Sequence, residues 1–294
     1  MKQKGIEERI FNIISYFSAT IIALLCVLPF IMVISGSFSN EKEILSKGYG
    51  LLPKGFSIEA YRTVLIDPTQ VLRSYMITIF ITMAGTLVGL FLTAMTAYVL
   101  YRRDFRYRNQ FSFFFYFTTL FSGGLVSYYI IMLNVFHLKN NILALILPLL
   151  MSPYYILIMR NFLKSVPDAI PESAKVDGAG DFTIFIKLCL PLMKPALACI
   201  GMFIALNYWN DWFQAMLFIQ RRELFPMQYS LYRMITNIEF LSYMAGENGI
   251  PTIDLPKETV KLAMTVIAVG PIILLFPFIQ KYFIKGLTIG AVKG

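Results

Sequence analysis

The sequence predicts an all-α membrane protein, with six transmembrane helices in one domain over residues 1–294 and a charged helical loop on the cytoplasmic side. Three observations predict it. Hydrophobic residues make up 57% of the 294 and charged residues only 15%, where a soluble domain carries about 25% charged, and mean hydropathy is +0.65. Apolar runs of about 20 residues, long enough to cross the hydrocarbon of a bilayer, recur along the chain. Lysine and arginine concentrate in alternate loops, the asymmetry that orients a polytopic chain.

The spans follow in order as 11–34, 71–100, 111–133, 142–163, 191–219 and 260–283. The first run continues past Pro29 with no small-residue cleavage signature, so it reads as a retained span and not a signal peptide. In the fourth, Pro148 and Pro153 predict a kink. The loops that share a side with both termini hold 15 of the 26 basic residues, against 10 on the other side. Both termini are therefore expected in the cytoplasm of a cell (inner) membrane protein. The run Tyr101-Arg-Arg-Asp-Phe-Arg-Tyr-Arg108 is the strongest anchor. Segments 37–70, 134–140 and 220–256 then lie outside, none large enough for a domain.

That loop asymmetry accounts for the net charge of +9 without any nucleic-acid partner. Cys26, Cys189 and Cys199 are odd in number and sit in apolar stretches, as packing residues do. No glycine-rich nucleotide loop of the Gly-x-x-x-x-Gly-Lys-Ser/Thr type occurs. The single histidine, His137, lies in a short outer turn, and no metal cluster or nucleophile–base set is legible. The chain is not itself an enzyme on this reading, and it binds no cofactor. Energy for uphill transport must come from an ion gradient or a partner.

Two polar segments interrupt the apolar pattern. In loop 164–190, Asp168 and Pro171 mark a helix start with Glu172 in its first turn. The helix should break at Gly178, and a second stretch should lead through 182–190 to Pro191. A rigid knob that takes a partner and a plain interfacial linker are both compatible with this spacing. Late in the fifth span lies Asn207-Tyr208-Trp209-Asn210-Asp211-Trp212-Phe213. Polar side chains there are costly in hydrocarbon unless they face a cavity or a partner. They suit a translocation path, since aromatic faces match the C–H faces of sugar rings and Asn and Asp match their rims. The alternatives are an interfacial aromatic belt for Trp209 and Trp212 and a helix-end charge for Asp211. Asn134 and Gln214 admit the same readings. Small residues at Gly85/Gly89, Ala94/Ala97 and Gly123/Gly124 suit close helix contacts.

The segment ESAKVDGAG (172–180) with Leu-Pro-Leu-x-x-Pro from Leu190 resembles the signature of the inner-membrane permease subunits of ABC importers, with Ser173 where many members have Ala. WNDWF (209–213) and the tail GLTIGAVKG (286–294) resemble the carbohydrate, maltose-importer (MalG-like) branch. The tyrosine- and phenylalanine-rich third span and ENGIPTIDLP (247–256) resemble members that import oligosaccharides such as alginate or pectin fragments. The resemblance implies a type I importer permease fold. It implies a coupling helix that docks on the ATPase, with Glu172, Ala174, Asp177 and Gly178 at the matching positions, and a tail, Val292, Lys293 and Gly294, at the same interface. It further implies a second permease, two cytoplasmic ATPase subunits that bind ATP and Mg, an extracytoplasmic solute-binding protein and a carbohydrate substrate. The rival expectations are a secondary carrier, disfavoured because the two halves lack matched broken helices with paired ionisable residues, and an importer permease for a non-sugar solute.

Overall fold

The structure, a computed structural model, describes residues 6–164, 166–167, 169–247 and 256–273, and every regular element among them is helical. By its internal contacts the chain divides into two units, Met1–Pro68 with Arg233–Pro271 and Thr69–Tyr232 with Ile272–Gly294.

In the first unit, α1 (Ile6–Ser37) is apolar all round and exposes most of those side chains, a surface suited to hydrocarbon. It continues through Pro29. The segment expected as loop 37–70 is ordered by short helices, α2 (Glu41–Lys47) and α3 (Glu59–Val64). Asn40 caps α2 by accepting the amide of Lys42 at 3.0 Å, and Lys54 Nζ donates to the carbonyls of Lys47 and Gly48 at its other end. Phe38 packs on Tyr61 at 4.8 Å between ring centroids. The Glu41 carboxylate accepts the amides of Glu258 and Thr259 at 2.9 Å and the Thr259 hydroxyl at 2.7 Å. It thereby serves orphan donors in the first turn of the helix over 257–273. Hydrogen bonds to a charged group contribute about 1.5–3 kcal/mol. Glu41→Ala should destabilise this unit by about that amount, read as faster amide exchange at residues 258–262.

The second unit is built on α4 (Pro68–Tyr101). Next come α5 (Arg108–Leu120) and α6 (Gly124–Ile130), the latter extended by a wider turn over Ile131–Val135. The short α7 (Leu143–Ile146) and α8 (Pro153–Leu163) follow. Then come α9 (Ala169–Val176), α10 (Asp181–Ile184) and α11 (Leu190–Leu192). The unit continues with α12 (Lys194–Asn210) and α13 (Phe213–Phe218), and α14 (Met227–Glu247) begins within it. Ala94, Ala97 and Tyr98 of α4 pack with Ile156 and Met159 of α8 and with Ile200, Ile204 and Tyr208 of α12. A second cluster joins Ile81, Leu145, Ile146, Ala215 and Tyr229. Gly85 lets α4 approach Tyr208, and Gly89 lets it approach the backbone of Leu150. These two glycines are contact points, as the sequence predicts.

Two helices, Ile10–Ser37 within α1 and Pro68–Tyr101, are long and apolar enough to cross a membrane unbroken. Three further candidates are bent pairs, so the described residues carry up to five spans. The third expected span, 111–133, bends by 113° between Leu120 and Gly124. Gly124 there has φ +81°, and nothing lies near a Cβ at Gly123 or Gly124. This glycine pair makes a corner and not the helix contact expected of it. The fourth span bends by 47° ahead of Pro153, at the predicted kink. The fifth turns by 85° around Met193, between Pro191 and Pro195, and breaks again where Asp211 adopts an extended conformation. The sixth, 260–283, is described only to residue 273. Segment 220–256, expected as a loop, contains the 21-residue α14. Arg233, Asn237 and Glu239 interrupt its apolar residues, so no long apolar run marks it in the sequence. Gly249 and Pro251 of the same segment lie outside the described residues.

Candidate functional site

Both polar segments fall in the second unit. The first is α9 and the turn that ends it. Pro171 and Glu172 occupy its first turn, while Asp168, expected with Pro171 at the helix start, lies outside the described residues. The helix closes with paired backbone bonds, from the amide of Ala179 to the Ala174 carbonyl at 2.9 Å and from that of Gly178 to the Lys175 carbonyl at 3.0 Å. Gly178 has φ +81°. This is a Schellman cap with glycine at the left-handed position. Its usual apolar pair is Ala174 and Ala179, both packed against the main core. The cap thus accounts for the spacing of Ala174, Gly178 and Ala179. Glu172 and Asp177 are exposed, and Val176 is 87% exposed at the tip. After Gly180, Phe182 is 65% exposed. A rigid, mixed acidic and apolar knob results, with its base in the core.

The knob is tied to the turn after α4. Lys175 Nζ meets Asp104 Oδ2 at 2.5 Å. Arg102 Nε donates to Asp104 Oδ1 at 2.8 Å, and the same guanidinium pairs with Asp181. Arg102, and then Lys175, holds the Asp104 carboxyl well below the usual carboxylate range, and the bond to Asp104 raises Arg102 above its own. Sequence reasoning missed this cluster. Arg102 and Asp104 are neighbours in the chain, but nothing local joins them to residues some 70 positions on.

The second segment, 207–213, closes α12. One turn apart on the helix, Asn207 and Asn210 are exposed, whereas Tyr208 and Trp209 are buried. Tyr208 donates to the Ile146 carbonyl at 2.7 Å and packs against Gly85. Asn207 Nδ2 donates to the Tyr155 hydroxyl at 3.1 Å, and Tyr155 stacks on Phe203. Trp212 stacks on Tyr232 with centroids 4.5 Å apart. Asp211 accepts the backbone amides of Gln214 and Phe213, while its Oδ2 is buried with no partner among the described residues. Gln214 in turn accepts the Tyr128 hydroxyl at 2.5 Å. Tyr128, Tyr155 and Tyr232, the partners of Gln214, Asn207 and Trp212, lie on other elements and are invisible to a reading of one segment. Asn134 is exposed. His137 is exposed in a turn at φ +53°. Among the described residues no group of three His, Cys, Asp or Glu side chains is placed to hold a metal. Val292, Lys293 and Gly294 lie outside the described residues.

Comparison with known proteins sets these surfaces in a family. The model described as the binding-protein-dependent transport system inner membrane component matches residues 2–289. The polygalacturonan/rhamnogalacturonan transport system permease protein YtcP of Bacillus subtilis (strain 168) is 38% identical over 98% of this chain and all of its own length. Protein LplC of the same organism is 37% identical, covering 97% of this chain and 96% of its own. A crystal structure of a bacterial ABC transporter involved in the import of the acidic polysaccharide alginate has a chain that superposes with a TM-score of 0.78 at 31% identity, covering 96% of this chain and all of that one.

Proposed function

The chain belongs to the family of binding-protein-dependent transport system inner membrane components, which are non-catalytic transport subunits, and on that premise we propose that it is a permease subunit of an ATP-driven oligosaccharide importer. It forms the translocation path with a second permease in the cell membrane. Two cytoplasmic ATPase subunits, which bind the ATP and Mg, drive it, and an extracytoplasmic solute-binding protein delivers the substrate. Six spans with both termini in the cytoplasm complete this reading, and the basic loops support it.

The observation that carries the proposal is the capped knob of α9. A rigid element whose base is packed and whose tip is exposed can pass a displacement into the core, because packed interiors deform little. Glu172, Val176 and Asp177 face outward for the ATPase, with Ala174 and Gly178 fixing the shape. The tail residues Val292, Lys293 and Gly294 join that interface. Asn207, Asn210, Asp211 and Trp212 line the path, with Tyr208 and Trp209 holding them from behind.

An oligosaccharide, of the pectin or alginate-fragment class, is the substrate best supported. The relatives named for polygalacturonan and rhamnogalacturonan and for alginate match over nearly the whole chain. The test is uptake of labelled oligogalacturonides by vesicles carrying the assembled importer. Asn207→Ala and Trp212→Ala should each remove about 1 kcal/mol of substrate interaction. Half-saturation should then rise about fivefold, with ATPase co-purification unchanged. Wild-type kinetics in both variants would remove this wall from the path.

A further inference from the structure

We propose that Arg102 and Asp104 form an electrostatic latch that positions α9 for coupling, an inference that rests on the reading of α9 as the element contacting the ATPase. The guanidinium of Arg102 is the hub. Its side chain is 16% exposed, against 50% for Asp104 and 61% for Asp181, and it lies 5.9 Å from the ring of Tyr98, a core residue of α4. From that anchor it reaches Asp181 directly and Lys175 through Asp104. Lys175 precedes Gly178 and Asp181 follows it, so the two arms grip the knob on either side of its capping turn.

A gap in the packing lies beneath the arms. A groove of about 420 Å³ opens between the end of α4 and α10, walled by Met95, Val99, Phe105, Phe182 and Phe185. Core contacts, such as that of Phe185 with Tyr98 at 5.2 Å between ring centroids, hold the base of the knob, and the groove leaves the contact of Phe182 and Phe105 with α4 incomplete. Fork-shaped pairing of arginine with carboxylate is directional and can set the orientation. Solvent-exposed pairs are also individually weak and screened by salt, so a driven displacement of α9 can open them. Arg102 and Asp104 are positioning residues and touch no reacting group.

The test is a double-mutant cycle in proteoliposomes carrying the full importer. It uses Asp104→Ala, Lys175→Ala and both together, with Asp104→Glu as the conservative control. The readout is ATP hydrolysed per oligogalacturonide transported. The latch predicts that each single change raises this ratio about three- to fivefold, the scale of one exposed ion pair. The double variant should be no worse than Asp104→Ala, because that change already removes the partner of Lys175, and Asp104→Glu should stay near wild type. ATPase should co-purify with every variant in wild-type amount. Additive effects, an unchanged ratio in Asp104→Ala, or loss of ATPase from that variant alone would each overturn the latch. Failure of the unmodified chain to hold the ATPase would instead remove the docking reading, and the latch with it.

Discussion

Replacing Gly178 by valine is expected to cut coupled transport severely while leaving the protein inserted and folded. Gly178 sits at φ +81°, and a Cβ placed there meets nothing within 4 Å. The cost is therefore conformational and not steric. A β-branched residue in the left-handed region is strained by about 1–3 kcal/mol. The core contacts of Ala174 and Ala179 hold the base of α9, but Gly178 itself is exposed and touches nothing that would force its backbone. About 2 kcal/mol would leave the cap formed in a few per cent of molecules, so transport should fall by at least about tenfold. Asparagine is close to valine in size but tolerates left-handed backbone. Gly178→Asn should therefore retain most of the activity. Comparing uptake and substrate-stimulated ATP hydrolysis in the two variants checks the claim. Equal impairment would mean that bulk at this exposed turn matters and the backbone does not.

The second large effect is expected in the core, and its readout is stability. A Cβ on Gly89 would stand 2.6 Å from the carbonyl oxygen of Leu150, and one on Gly85 2.2 Å from Cζ of Tyr208. The Leu150 contact is with backbone, which no rotamer change relieves. The Tyr208 ring is fully buried and tethered to Ile146, so it too has nowhere to go. Overpacking of this kind costs about 1–3 kcal/mol, sometimes more. Gly89→Val and Gly85→Val should each sharply lower the melting temperature in detergent. Tyr208→Leu should partly rescue Gly85→Ala but not Gly89→Ala, because only the first clash involves that ring. Wild-type melting of Gly89→Val would contradict the close approach of α4 to Leu150.

The glycines also show how far the sequence could be read. Gly85 and Gly89 lie four residues apart inside an apolar run, and that spacing on a helix signals a contact face. Gly123 and Gly124 look equally small, but Gly124, lacking a Cβ, adopts φ +81° at a 113° corner. Composition alone does not separate these outcomes. Gly178 was legible because an acidic first turn, a short helix and a glycine follow in order within eight residues. The latch was not legible, since Arg102, Lys175 and Asp181 meet only through the tertiary packing of α4 against α8 and α12. The segment over 207–213 was half legible. The Asn207 and Asn210 face follows from helical spacing, but its partners Tyr155 and Tyr232 come from distant elements. The buried direction of Tyr208 depends on a glycine more than a hundred residues earlier.

The most direct test of the central claim is ATP hydrolysis by the purified, co-expressed assembly in lipid, measured as candidate solute-binding proteins loaded with different oligosaccharides are added one at a time. The account predicts that the ATPase co-purifies and that one loaded binding protein, carrying an oligosaccharide, stimulates hydrolysis. A folded subunit that holds no ATPase, or an assembly indifferent to every loaded binding protein, would contradict it.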